Sequence, residues 1–180
     1  MEGYLHALNM FRSAWEKHDL GQVMRLAKIG IPLLPRWVEW LKSQTGGDFH
    51  VGRVDFLQDG CVLFGCAGDH EALATARSVV EHTPDLSAWI TCVERGEMAL
   101  RLAEGIFHLV GQHPGVVESE IPRILLGAEP EAVGEVCYWM HELGRIERKK
   151  QGDTYALFPV GGAGASPSVP PAPPECAPVP

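Results

Sequence analysis

The 180-residue sequence lacks any apolar run approaching the ~20 residues that a membrane-spanning helix requires. Residues 1–20 carry charges and contain no apolar stretch followed by a small-residue cleavage site, so the usual pattern of a secretory signal peptide is missing. We therefore expect a cytoplasmic protein that makes no contact with a membrane.

Cysteine is scarce, and the number of cysteines is odd. Four of the five lie inside apolar runs, where a free thiol behaves as a small hydrophobic group: Cys61, Cys66, Cys92, Cys137, with Cys176 near the end. An odd number in a protein that is not exported argues against a disulfide framework.

A zinc site is the first chemistry to consider, because His50, Cys61, Cys66 and His70 are close in sequence. Their spacing matches no standard zinc pattern. If Cys61 and Cys66 belong to one strand, as we expect, they point to opposite faces of it. We therefore predict core cysteines and no metal.

Catalytic motifs are also missing. The sequence has no Gly-x-Ser-x-Gly elbow, and His70-Glu71 begins like a zinc-protease helix but has Ala74 at the place of the second histidine. Glycines at 161, 162 and 164 stand in a Pro-rich stretch with no strand before them and no helix after them, unlike a phosphate-binding loop. We expect a protein that is not an enzyme and binds no cofactor.

Basic residues are outnumbered, 15 against 23 acidic ones, and the formal net charge is -8. Strong nucleic-acid binders usually carry the opposite balance, because they must neutralise phosphates. At the end of the chain, residues 160–180 consist mainly of Pro, Gly, Ala and Ser, and too few apolar groups remain to order them. We predict that this tail is disordered.

Residues 98–159 show a clear order of elements. Apolar spacing predicts a helix over 98–112, ended by Pro114-Gly115, and a short helix over 118–126 with Ile121, Ile124 and Leu125 inward. A third helix begins at Pro130 and ends at Gly144. Two β-rich runs around Gln151-Gly152-Asp153 predict a hairpin.

This order, with the ending ELGRIERKKQGDTYALFP, resembles the winged-helix family over the whole segment 98–159. The resemblance implies three helices followed by a β-hairpin wing. Most such domains bind DNA, and a minority dock proteins.

Residues 1–97 predict a small α+β module. Apolar spacing predicts helices over 4–17, 32–42 and 70–82, while 21–27 fits either a helix or a strand. The stretch 48–68 is predicted to form two strands joined by a turn at Gln58-Asp59-Gly60, and 87–93 is predicted to form a last strand. The expected fold class is α+β, with a boundary between 97 and 98.

The hairpin-like run also resembles the PATAN domain of bacterial signalling proteins. The matching residues are Gly52, Val54, Phe56, Gly60, Val62 and then Glu71-Ala72-Leu73, while residues 29–47 look like an insertion. The resemblance implies a module that binds protein partners.

The outward side chains of the third predicted helix indicate whether the winged-helix segment binds DNA or protein. A DNA-reading helix presents Arg, Lys, Asn or Gln outward. The outward positions here include Glu131, Glu135 and Tyr138, whereas the basic residues lie on the wing: Arg145, Arg148, Lys149, Lys150. A basic wing can grip the phosphate backbone but specifies little.

A second surface is indicated by Trp37 and Trp40, which lie three residues apart on a helix that is apolar on more than one face. This pattern fits either plain core or a contact with a partner or a second copy. We expect a bacterial regulatory adaptor whose winged helix serves protein contact or dimerisation. The alternative is a transcription regulator that holds DNA through the winged helix.

Overall fold

The computed structural model describes residues 2–46 and 54–161. In chain order its helices are α1 (Glu2–Glu16), α2 (Leu20–Gly30), α3 (Leu34–Thr45), α4 (Asp55–Gln58), α5 (Gly60–Ala67), α6 (His70–Glu81), α7 (Ile90–Gln112), α8 (Ile121–Ile124) and α9 (Pro130–Glu142). Its strands are β1 (Val116–Val117), β2 (Ile146–Gln151) and β3 (Thr154–Pro159). Short 3₁₀ turns precede α3, α7 and α8.

The amphipathic helices expected in the first half are confirmed as α1, α3 and α6, and the ambiguous stretch 21–27 lies within α2. Aspartates begin two of these helices. The side chain of Asp19 accepts a hydrogen bond from the Gln22 amide at 3.0 Å, and that of Asp69 accepts one from the Ala72 amide at 3.1 Å. Each carboxylate satisfies a backbone donor that the first helical turn leaves unpaired.

The strands predicted in the first half are wrong wherever the structure describes them. Residues 55–58 and 60–67 form α4 and α5, so no hairpin turns at Gln58-Asp59-Gly60, and residues 47–53 lie outside the described residues. The segment 87–93 joins a 3₁₀ turn to the start of α7. The reason is burial. All residues of α5 from Gly60 to Cys66 are buried, and an apolar run without periodicity does not distinguish a buried strand from a buried helix.

Helix α7 begins eight residues before the helix expected at 98 and runs unbroken across the boundary predicted between 97 and 98. Where α7 crosses α5, two glycines face each other. A Cβ at Gly65 would collide with the carbonyl oxygen of Gly96, and one at Gly96 would collide with that of Cys61. The absence of both side chains lets the two backbones meet.

Two hydrophobic clusters make up the interior. The first joins α1 to α6 with the start of α7, and the second joins α7, α8, α9 and the sheet. Helices α5 and α7 contribute to both clusters, since Leu63 and Val93 belong to the first, and Val62 and Ala103 to the second. The two halves of the chain therefore pack on shared helices.

The hairpin predicted near the end is confirmed. Strands β2 and β3 pair antiparallel with Gln151 opposite Thr154, and Gly152 adopts a φ of +61° in the turn. Strand β1 adds to the other side of β3, so the sheet order is β1-β3-β2. The described chain is thus mostly helical with a small antiparallel sheet, in agreement with an α+β class.

The second helix of this half is shorter than predicted, a 3₁₀ turn over Glu118–Glu120 followed by α8. Ile121 is buried as expected, but Ile124 is 49% exposed, because α8 ends there and the chain turns away. The tail predicted to be disordered lies outside the described residues from 162 onward. None of the helices described here is both long and apolar enough to cross a bilayer.

Candidate interaction surfaces

Helix α9 is positioned by its buried face. It begins with Pro130 in its first turn, and Gly144 with a φ of +68° follows its end. Val133, Val136, Cys137 and Met140 recur at helical spacing and are all buried in the second cluster. Packing of this face leaves Glu131, Glu135, Tyr138 and Glu142 as the outer stripe, at spacings of four, three and four residues.

Side chains of the first half of the chain contact two members of this stripe. The Arg95 guanidinium donates through Nη2 to both carboxylate oxygens of Glu135, at 2.6 and 2.9 Å. The imidazole Nε2 of His18 lies 3.0 Å from Oε2 of Glu142. His18 stands in the turn between α1 and α2 with a φ of +58°, a left-handed conformation that few non-glycine residues adopt.

Aromatic rings of the first half also pack against Trp139 of α9. The ring of Trp139 lies 5.7 Å from that of Trp15 and 6.2 Å from that of His18, measured between centroids. Trp139 is half-buried and packs against both hydrophobic clusters. The stripe expected to face DNA or a partner is therefore partly covered by α1, the α1–α2 turn and α7, while Glu131 and Tyr138 remain exposed.

Two of the four basic residues predicted on the wing are bound by other groups of the chain. Arg148 donates from Nε and Nη2 to the two carboxylate oxygens of Glu118, at 2.8 and 3.0 Å, and lies 4.0 Å above the ring of Tyr155. The Arg148 and Glu118 side chains are only 12% and 14% exposed. Burial raises the pKa of Glu118, and the neighbouring Arg148 acts against that shift.

Arg145 also contacts residues of both halves of the chain. Its Nη1 donates to the backbone carbonyl of Cys66 at 2.7 Å, and its guanidinium lies 5.0 Å from the centre of the Phe107 ring. Lys149 is exposed, with its Nζ 3.0 Å from a carboxylate oxygen of Glu147. Lys150 is exposed as well. The wing therefore offers two accessible cations, Lys149 and Lys150, rather than four.

The tryptophans of α3 have different environments. Leu34 and Val38 form the buried side of the helix, and the ring of Trp37 stacks on that of Tyr4 with centroids 4.8 Å apart. Trp37 is thus half-buried against the first cluster, whereas Trp40 is exposed. The structure places the two side chains in different settings, and only Trp40 remains for contact with a partner.

A groove that sequence reasoning missed lies between α7 and the segment that follows α8. It measures about 620 Å³, and its exposed apolar side chains are Met98, Ile124 and Leu126. The helix expected over 118–126 ends at Ile124, so Leu125 and Leu126 lie in the connection after it, and helical spacing could not predict their place on this surface. Large apolar side chains grouped on a surface mark contact sites more often than single ones do.

The cysteines considered for zinc belong to the core. Cys61 and Cys66 lie on helix α5 rather than on a strand, and they belong to different hydrophobic clusters. Burial raises the pKa of each thiol to about 12. His50 lies outside the described residues, and within residues 2–46 and 54–161 no three His, Cys, Asp or Glu side chains are grouped closely enough to hold a metal ion.

The burial of these thiols predicts low reactivity. Cys61, Cys66 and Cys137, all buried with a pKa of about 12, should be alkylated at least ~100-fold more slowly than the half-exposed Cys92. The measurement is mass spectrometry of peptides after timed treatment of native protein with iodoacetamide, with urea-unfolded protein as the control. Rapid labelling of Cys66 in native protein would contradict the packing of α5 against the second cluster.

Comparison of the chain with protein-family models, curated proteins and solved structures finds no match. The function must therefore be argued from the contacts described above.

Proposed function

We propose that this chain is a non-enzymatic bacterial regulatory adaptor, in which residues 98–159 form a winged helix used for contact with proteins. The order α7, β1, α8, α9 and the β2–β3 hairpin supports the winged-helix assignment, because β1 pairs with β3 as the third strand of the sheet. The PATAN resemblance of the first half rested on a hairpin where the structure has α4 and α5, so it gives the proposed partner-binding role of residues 1–97 no further support.

The proposal rests on one observation: side chains from the first half of the chain contact the outer stripe of α9. Glu135 and Glu142 are bound by Arg95 and His18, and Trp139 is packed against Trp15. A helix that reads DNA must enter the major groove along this stripe. Here side chains of the first half of the chain contact two positions of this stripe, and its exposed end carries the Glu131 carboxylate, which phosphates would repel.

DNA binding through the wing is the second candidate, and the exposure of Lys149 and Lys150 favours it. With Arg148 held by Glu118, these two lysines would neutralise two phosphates. The logarithm of the binding constant would then fall with the logarithm of salt concentration with a slope of about -1.8, from ~0.9 for each contact. Such binding would be weak and independent of sequence.

We expect the full chain to bind duplex DNA no more tightly than the ordinary non-specific range, micromolar or weaker at physiological salt. Fluorescence anisotropy with random duplexes over a salt series measures both affinity and slope. The double variant Lys149→Ala with Lys150→Ala should remove most of the slope. The control removes two exposed cations elsewhere, Lys17→Ala with Arg25→Ala, and should leave the slope unchanged.

Nanomolar binding of one DNA sequence by the wild type would overturn the adaptor proposal and favour the transcription regulator. Equal losses in the two double variants would show that net charge, not the wing, determines the residual binding.

A further inference from the structure

The groove between α7 and residues 124–128 exposes an unusual amount of apolar surface. Leu126 is 94% exposed, Ile124 49% and Met98 43%. The floor is formed by Leu125, whose side chain lies over Gly105, since a Cβ at Gly105 would stand 3.2 Å from Leu125 Cδ1. The surface therefore has a projecting leucine directly beside an apolar depression.

The charges around this groove are balanced. Glu94 and Arg101 lie on the same stripe of α7 as Met98, and Arg123 and Glu129 flank the depression in sequence on the other side. All four are exposed, and none takes part in the salt bridges of the described part of the chain, although the charge of Arg101 helps to lower the pKa of Glu97. Arg101 lines the groove itself, and these four residues beside it carry two charges of each sign in a chain whose net charge is -8.

We propose that this groove is the contact surface between two copies of the chain, with Leu126 of each copy inserted into the groove of the other. A surface that binds itself around a two-fold axis must carry both the projecting group and the depression that receives it, and charges of both signs. This surface carries all of these. A surface for a strongly charged partner would carry one sign.

The balanced rim also removes an obstacle to dimerisation. Two chains of net charge -8 repel each other at most surfaces, and that repulsion is smallest where the local charge is zero. The exposed guanidinium groups of Arg101 and Arg123 can then meet carboxylates of the second copy. The proposal names the partner of the adaptor described above, and in that respect it rests on the proposed function.

Sedimentation equilibrium of the full chain over about two decades of protein concentration tests the proposal directly. We expect the wild type to dimerise. Leu126→Glu should weaken the dimer roughly 100-fold, because each dimer loses two buried leucines and gains two carboxylates in an apolar groove. Met98→Glu, from the opposite side of the groove, should weaken it in the same direction.

The matched control is Ile29→Glu, which places the same charge on a 56% exposed isoleucine of α2. It should dimerise as the wild type does, and circular dichroism should show that all three variants keep their helix content. A wild type that stays monomeric throughout would overturn the proposal. So would a dimer that survives both Leu126→Glu and Met98→Glu, or one that Ile29→Glu weakens equally. These experiments contain no DNA, so their failure is distinct from failure of the adaptor proposal.

Discussion

Gly96→Ala is expected to lower the free energy of unfolding by roughly 3 kcal/mol, the upper part of the usual cost of overpacking a core. A methyl group at this position would press on the backbone carbonyl of Cys61 and on the side chain of Leu73. A carbonyl group within helix α5 cannot turn aside as the end of a flexible side chain can, so α5 and α7 must separate. Both hydrophobic clusters lose contacts when that happens, because the two helices belong to both.

Gly111→Ala provides a matched control on the same helix. A Cβ at Gly111 meets nothing within 4 Å, so this change should stabilise the protein, by up to ~1 kcal/mol, through the higher helix propensity of alanine. Urea unfolding followed by circular dichroism measures both values. If the two substitutions shift stability alike, the close crossing of α5 and α7 is not as described.

Arg148→Ala is expected to lower the free energy of unfolding by about 2–3 kcal/mol near neutral pH. Removing one member of a buried ion pair costs about 3–5 kcal/mol, and the residual exposure of this pair reduces that figure. The variant leaves the mostly buried Glu118 carboxylate without its two charged hydrogen bonds, and Tyr155 without the guanidinium above its ring.

The loss should depend on pH in a definite direction. Burial already raises the pKa of Glu118, and removal of Arg148 takes away the two interactions that lower it. A carboxyl group with a raised folded-state pKa costs no stability below its unfolded pKa of ~4.3, where both states are protonated. The cost then grows as the pH rises through the folded-state pKa. The deficit of Arg148→Ala should therefore be smallest near pH 4 and largest at neutral pH.

Lys150→Ala on the same strand is the control, and it should change stability by less than ~0.5 kcal/mol at either pH, because the side chain is exposed. Urea unfolding at several pH values gives the comparison. An Arg148→Ala variant as stable as Lys150→Ala would mean that Arg148 is free for ligands, and the number of accessible cations on the wing would rise from two to three.

Periodicity was informative wherever a helix has one buried face. Helices α1, α3, α6 and α9 were predicted because solvent on one side imposes polar residues at regular intervals. The β2–β3 hairpin was predicted because Gln151-Gly152-Asp153 separates two strand-like runs, and Gly152 does adopt the positive φ of the turn. The burial of Cys61 and Cys66 was also foreseen, although the strand geometry used to argue it was wrong.

Other features depend on contacts between residues distant in sequence. Helix α5 lies among α2, α6, α7 and α9, and a segment buried on all sides carries no polar positions from which its period could be read. The pairing of charged side chains likewise depends on contacts that the sequence does not reveal. Sequence alone determined that the chain is acidic and that its basic residues gather near the hairpin. Only tertiary structure decided that Glu118 holds Arg148 and that Arg95 and His18 hold the outer stripe of α9, because each of these pairs joins side chains at least 30 residues apart.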